Sequence, residues 1–218
     1  MSRISTLCSY LDNCNTFADV ACDHGYLAQY MLKNNLCEKA IISDISDKSL
    51  DKARALLKDY IKSGKCTAVC CDGLKEVKGA DLVMIAGIGG DEILKILKDA
   101  YIPRNFVFQP MKNAQALRAY LLQNGCKITS DDIFSDGKNY YFVIKGSLSN
   151  CVGHYNEYQL AYGRDSLFNP ILKEYLTCEL DKKLNYLSAQ MSEQSRTNLE
   201  KDIKFIRGVL ENEPDVNT

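Results

Sequence analysis

An α/β fold with a mostly parallel, seven-stranded sheet and a C-terminal, coiled-coil-like helical hairpin is what this chain predicts. Three observations predict it. Short apolar runs alternate with segments of helical spacing between Thr16 and Asn124, the signature of strand–helix–strand units. Four of these runs end on acids or glycines, as strands do where a parallel sheet opens onto a ligand crevice. After Gly146 the alternation stops, and leucines recur at three- to four-residue steps.

The elements follow in order. Ser2 to Leu11 sets Ile4, Leu7, Cys8 and Leu11 at helical spacing, a short helix expected against the sheet edge. Thr16 to Ala21 is the first strand, with the helix Tyr26 to Asn34 behind it. Lys39 to Asp44 is apolar on both faces, as buried parallel strands are. Ser46 or Asp47 can cap the next helix, which runs through Leu50, Ala53, Leu57 and Tyr60 and stops before Gly64. Cys66 to Cys71 is the third strand, finishing at Asp72-Gly73. Ala80 to Ala86 is the fourth and most apolar, opening onto Gly87-Ile88-Gly89-Gly90 and a helix over Asp91 to Asp99. Asn105 to Gln109, closed by Pro110, precedes a helix over Asn113 to Asn124. Lys127 to Phe134 and Tyr140 to Lys145 flank Asp136-Gly137, a hairpin signal that reverses one strand. Right-handed crossovers put helices on both faces.

Ser147 to Gly163 reads as polar and irregular. Asn169-Pro170 starts a helix carrying Leu172, Leu176, Leu180, Leu184, Leu187 and Met191. Ser195 to Glu211 repeats the device with Leu199, Ile203, Ile206 and Leu210. The two stripes face one another in a hairpin or, alternatively, pack back on the sheet. Residues 1–146 are therefore read as one domain and 147–218 as a linker plus hairpin.

With 218 residues, 46% hydrophobic and 25% charged, the chain has the composition of a soluble globular protein. A net charge of −1 gives no support to wholesale nucleic-acid binding, so a nucleic-acid partner would have to be met by a local basic patch. No run approaches the ~18 to 20 apolar residues of a membrane span, and no signal peptide is evident. A cytoplasmic monomer without metal is the expectation. The ten cysteines include no C-x-x-C pair, and His24 and His154 are the only histidines, so the thiols are read as small buried hydrophobes.

The chemistry gathers at four strand ends. In the first turn Ala21 and Asp23 stand where the first two glycines of a dinucleotide fingerprint would be, so acids replace a phosphate cradle. Asp19 and Asp23 would repel a pyrophosphate and suit a ligand with a positive centre, such as S-adenosylmethionine. Asp44 can accept both ribose hydroxyls, or simply favour a helix N-terminus. Asp72 can accept an adenine amino group, or mark a turn. His24 touches the cofactor or caps the helix. Gly87, Gly89 and Gly90 leave bare backbone where methyl and acceptor meet, or allow close helix–sheet packing. No Asn-Pro-Pro-Tyr follows the fourth strand and no Pro-Cys nucleophile is present, which fits a ring nitrogen with a free lone pair as acceptor.

Asp19 to Leu27, Ile85 to Gly90, Gln109-Pro110, Leu117-Arg118 and Gly137-Lys138-Asn139-Tyr140 occur together and in order. In these the chain resembles the bacterial tRNA (adenine-22-N1)-methyltransferase family, a Rossmann-like class I methyltransferase with a C-terminal helical hairpin. The resemblance implies methyl transfer from S-adenosyl-L-methionine to N1 of adenine in tRNA. It places cofactor at Asp19, Asp23, His24, Gly25, Tyr26, Asp44, Ile45, Asp72, Gly73, Leu74, Ala86, Gly87 and Ile88. The acceptor pocket it implies lies at Gly89, Gly90, Gln109, Pro110 and Tyr140. The chain departs from the family at Ala21 for glycine, Met111 for asparagine and Tyr141 for glutamate. Phosphate-holding candidates are Arg3, Lys112, Arg118 and Lys138, with Lys173, Lys182, Lys183, Arg196, Lys201, Lys204 and Arg207 on the hairpin. The rival readings are a methyltransferase of a small molecule or protein, and a member that binds cofactor or RNA without turnover. An NAD-linked oxidoreductase fails on Asp23.

Overall fold

The computed structural model describes residues 2–150 and 153–211. Strand β1 (Cys14–Val20) lies between β2 (Cys37–Asp44) and β4 (Leu82–Ile88), parallel to both. Outside these run β3 (Cys66–Cys70), beside β2, and β5 (Asn105–Pro110), beside β4. The chain then forms β6 (Cys126–Asp136) at the edge and turns back as β7 (Asn139–Leu148), which inserts antiparallel between β5 and β6. The order is β3-β2-β1-β4-β5-β7-β6, with one reversed strand as expected. Strand order changes direction between β1 and β4, and the crevice of such a sheet opens there, at the carboxyl ends.

Helices cover both faces. On one, α1 (Arg3–Cys8), α2 (Tyr26–Lys33) and α3 (Asp47–Leu56) send Leu7, Met31 and Leu50 into a core with Phe17, Ile42, Met84 and Val107. On the other, α5 (Gly90–Asp99) and α6 (Ala114–Gln123) send Ile93, Leu97, Leu117 and Leu121 against Val20, Val83, Ile85, Phe106 and Phe108. Adjacent residues such as Val83 and Met84 thus face opposite cores, which is why the strands read as unbroken apolar runs. Helix α1 touches α2 and the edge strand β6.

Three departures from the expected elements have local causes. The second long helix breaks at Leu57, whose φ of −102° and ψ of 14° leave the helical range, and a short α4 (Lys58–Lys62) follows. Leu57 is fully buried, so the break keeps it in the core while α4 lies half outside. The segment read as irregular contains α7 (Glu157–Tyr162), opened by a capping box in which Asn156 and Gln159 exchange side-chain and backbone hydrogen bonds. The β6–β7 hairpin runs further than expected, closing on a two-residue turn at Gly137-Lys138.

Helices α8 (Pro170–Leu187) and α9 (Glu193–Glu211) form the hairpin, with Asn169 capping α8 through its side chain. Both expected packings occur. The two helices contact one another, and Leu172, Leu176 and Ile206 are buried around Ile133 of β6. Cys8, Cys37, Cys66, Cys71 and Cys126 are buried, Cys14 and Cys22 half-buried, Cys70 and Cys178 exposed; Cys151 falls outside the described residues. Among the described residues no helix is long and apolar enough to cross a membrane, and no three His, Cys, Asp or Glu side chains are grouped to hold a metal ion.

Candidate active site

β1 ends at Val20, and the chain reaches α2 through Ala21 (φ 57°), Asp23 (φ 46°) and Gly25 (φ 71°). Left-handed backbone costs an L-residue about 1–2 kcal/mol, so Ala21 and Asp23 hold the turn under strain. At Gly25 the packing is also tight: a Cβ there would lie 3.0 Å from Ala53 Cβ and 3.1 Å from Leu57 Cδ1. Helix α3 therefore closes directly onto the turn.

Asp19 does not line the crevice mouth. Its strand position turns the side chain beneath the turn, where Oδ2 accepts from the Ala28 N–H (3.2 Å) in the first turn of α2. It is 4% exposed, and burial, reinforced by the nearby Asp44 charge, pushes its carboxyl up to about 7 against the pull of the Ala28 N–H. Asp44, at the end of β2, accepts from the N–H groups of Asp23 (3.2 Å) and Ser46 (2.9 Å), tying the first turn to the start of α3. Asp23 points outward to Lys52 Nζ (2.9 Å) and His24 Nδ1 (2.6 Å), and the hydrogen bond from Lys52, then that from His24, holds its carboxyl below the usual range. The His24 ring stacks on Tyr26 with centroids 5.2 Å apart. Lys75 Nζ, 2.6 Å from Asp72, lowers that carboxyl likewise.

Between these groups lies a cleft of about 240 Å³, lined by Ala21, Ser43, Asp44, Asp72, Gly73 and Ile88 among others. Ile45 stands 71% exposed at its lip. A Cβ on Gly73 would meet two Ile96 carbons at 2.8 Å, so glycine lets α5 close that wall. The Ser43 hydroxyl is buried in the lining without a partner among the described residues. Sequence reasoning passed over Ser43, whose signal was a hydroxyl inside an apolar strand, and Ile96, which carried no signal. Leu74 is 1% exposed and belongs to the core, so its side chain is not at the cleft as expected.

The expected acceptor residues divide. Gly89 and Gly90 are not bare backbone. The loop after β5 closes over them through Gly90 N–H to Lys112 O (2.8 Å) and Met111 N–H to Ile88 O (2.9 Å). A Cβ on Gly90 would fall 2.5 Å from Asn113 O, and one on Gly89 would meet the Glu92 and Lys112 side chains. These glycines serve close packing. Gly87 (φ 81°), by contrast, is exposed, and the Arg3 guanidinium sits beside it. Arg3 also donates to Gln109 Oε1 (3.3 Å) and lies over the Tyr141 ring (5.8 Å), its backbone N–H held by Asp136 (2.7 Å). Gln109 is fully buried under it. Pro110 and Tyr140 open onto a second, larger groove of about 860 Å³ between α6 and the hairpin.

The basic set is also redrawn. Arg118 is fully buried, its Nε 2.8 and 2.9 Å from the two Asp131 oxygens, with Nη1 donating to Leu160 and Ala161 carbonyls. It ties α7 to the sheet and is not a surface charge. Lys182 and Lys183 pair with Glu179 and Asp202, and Arg196 donates to the Leu187 carbonyl at the end of α8. Lys112, Lys138, Lys173, Lys201, Lys204 and Arg207 remain exposed.

Residues 1–144 match the family described as a methyltransferase domain. The chain belongs to that methyltransferase family. It is 34% identical over 146 residues to a Mycoplasma pneumoniae protein carrying a provisional tRNA methyltransferase name, covering 65% of this chain and 68% of that one. Over 149 residues it is 29% identical to the Bacillus subtilis tRNA (adenine(22)-N(1))-methyltransferase, covering 65% and 63%. Among solved structures, M. capricolum TrmK with S-adenosyl-homocysteine superposes with a TM-score of 0.87 at 23% identity, covering 96% of each chain. That fold match takes in the hairpin as well as the sheet.

Proposed function

We propose that this methyltransferase transfers a methyl group from S-adenosylmethionine to N1 of adenine 22 in tRNA, acting as a cytoplasmic monomer. The observation that carries the cofactor half is the shared cleft of Asp44 and Asp72 at the ends of neighbouring strands, beyond a left-handed first turn. The relatives' names supply the substrate half.

The residues present fit the cofactor. Asp44 keeps lone pairs free for ribose hydroxyls after serving two backbone donors, and the orphaned Ser43 hydroxyl lies in the same lining. Ile45, Ile88 and Ile96 offer apolar walls for a purine, with Asp72 at its edge. Between exposed Gly87 and buried Gln109 stands the Arg3 guanidinium, which must move for a base to reach Gln109 from that side. When bound, the cofactor supplies an electrophilic methyl on a positively charged sulfur. Adenine N1 carries no proton to remove, so the chain's task is orientation in a dry site rather than general-base catalysis. The product base is cationic, and the Asp44 carboxylate in the cleft lining puts negative potential on that side. The target base must leave its stack to reach the site.

Two measurements test this reading. Mass spectrometry of tRNA nucleosides after incubation with cofactor should show N1-methyladenosine at one position. Absence of any methylated adenosine despite cofactor binding refutes it. Asp44→Ala should weaken cofactor binding at least tenfold in calorimetry and, because it frees the Asp23 and Ser46 N–H groups, lower the unfolding midpoint as well; unchanged affinity removes Asp44 from the site.

A further inference from the structure

The groove between α6 and the hairpin has a composition that phosphate binding does not explain. Its aromatic rings come from four elements: Tyr140 and Phe142 on β7, Tyr162 on α7, Tyr175 on α8 and Phe205 on α9. Tyr175 meets the Tyr140 ring at 5.4 Å, tilted, and the Phe142 ring edge-on at 5.7 Å. Phe205 packs against Tyr162 at 6.0 Å. Facing them, α6 contributes Ala116 and Ala119, short side chains that keep the groove about 860 Å³ in volume. That lies within the ~300–1,000 Å³ range of small-molecule sites.

The charges inside it cancel. The lining carries two cations, Lys112 and Lys183, and two acids, Glu179 and Asp202, with Lys183 paired to Asp202 at 2.7 Å. A strand of phosphates finds no net attraction here. A flat, uncharged ring with polar edges finds stacking faces and hydrogen-bonding groups. Burial pushes the Tyr175 hydroxyl up to about 12 and that of Tyr162 higher still, so both stay protonated donors at neutral pH. Asn113 and Gln115 add amides at the rim. The groove is also lined by Pro110 and Tyr140, the residues that the family resemblance implies for the acceptor pocket.

We propose that this groove is a second nucleobase subsite, which holds the base next to the target adenine in the substrate RNA once the target has been turned out of its stack. The proposal rests on the tRNA methyltransferase reading above and adds to it a place for a neighbouring nucleotide. Two bases unstacked together cost more than one, and the aromatic groove returns that cost by restacking the second. Lys112 on the groove's lining and exposed Lys173 outside it then meet the phosphates on either side.

Ala119→Leu fills the groove from α6 and Tyr175→Leu removes a ring. Each should raise KM for tRNA by about 5- to 150-fold, the range for one lost base–aromatic stack. Cofactor affinity should stay within twofold of wild type for both. Because the protein has no tryptophan, Ala116→Trp places a single fluorophore on an exposed, groove-lining position of α6. Its emission should be quenched on adding tRNA. Wild-type KM in both groove variants, or unchanged emission from the Ala116→Trp variant while it methylates tRNA, overturns the proposal. So does a concentration-dependent dimer that Ala119→Leu abolishes, since a second chain would then be the occupant. Wild-type protein that methylates no tRNA refutes the underlying reading instead, and is distinguished from the other outcomes by the unmodified enzyme alone.

Discussion

Asp19 carries a stored electrostatic cost beneath the first turn, and Asp19→Asn exposes it. The carboxyl is 4% exposed and held at about 7, against an ordinary value of 3.8. At about 1.4 kcal/mol per pH unit, that difference corresponds to a cost of about 4 kcal/mol once the group is ionised in the folded protein. The sign follows from proton binding. Between pH 3.8 and about 7 the folded protein keeps a proton that the unfolded chain has released. Stability from this group is therefore lost progressively as pH rises through that window, and the full cost is present above it. Asparagine keeps an oxygen for the Ala28 N–H and never ionises. Urea unfolding at pH 5, 6, 7 and 8 should show Asp19→Asn gaining on wild type by about 1 kcal/mol per pH unit up to pH 7, then levelling. A gap that stays flat across this series would refute the argument that burial dominates the Asp19 carboxyl.

Other outcomes follow from the same geometry. Ala21→Gly relieves left-handed strain of about 1–2 kcal/mol but adds about 0.5–1 kcal/mol of unfolded-state entropy, so a net gain of roughly 0.5–1 kcal/mol is expected. A differential scan should place its midpoint about 1–4 °C higher; a lower midpoint contradicts the turn geometry. Gly90→Ala forces a methyl to 2.5 Å from the Asn113 carbonyl and should cost about 1–3 kcal/mol in chemical denaturation, with methyl transfer reduced through the displaced loop. Arg118→Met leaves Asp131 buried without its partner and should cost about 3–5 kcal/mol in the same assay, whereas a surface arginine would cost almost nothing.

The fold was readable because its strands are buried on both faces and its helices are punctuated by caps. Phe17 to Val20 and Leu82 to Ile85 are buried on both faces, and Asp19 is the one polar residue among them. The site was less so, and particular residues show why. Gly90 looks identical in sequence whether it greets a ligand or a loop, and the loop that covers it comes from Lys112 and Asn113, brought there by β5. Arg118 reads as one more exposed cation until a register shift between Ile128 and Ser130 turns Asp131 inward to meet it. Asp19 and Asp44 both end apolar strands, yet only the second faces the cleft, because the first is claimed by the N-terminus of α2. Ser147 to Gly163 reads as polar and irregular, and the Asn156–Gln159 capping box that opens α7 there emerges only from the structure.

Arg3 ties together segments far apart in sequence: its backbone N–H is held by Asp136 in the β6–β7 turn, and its guanidinium donates to Gln109 at the end of β5. The same guanidinium lies beside the Gly87 backbone. A change that loosens the β6–β7 turn therefore travels through one residue to the end of β4.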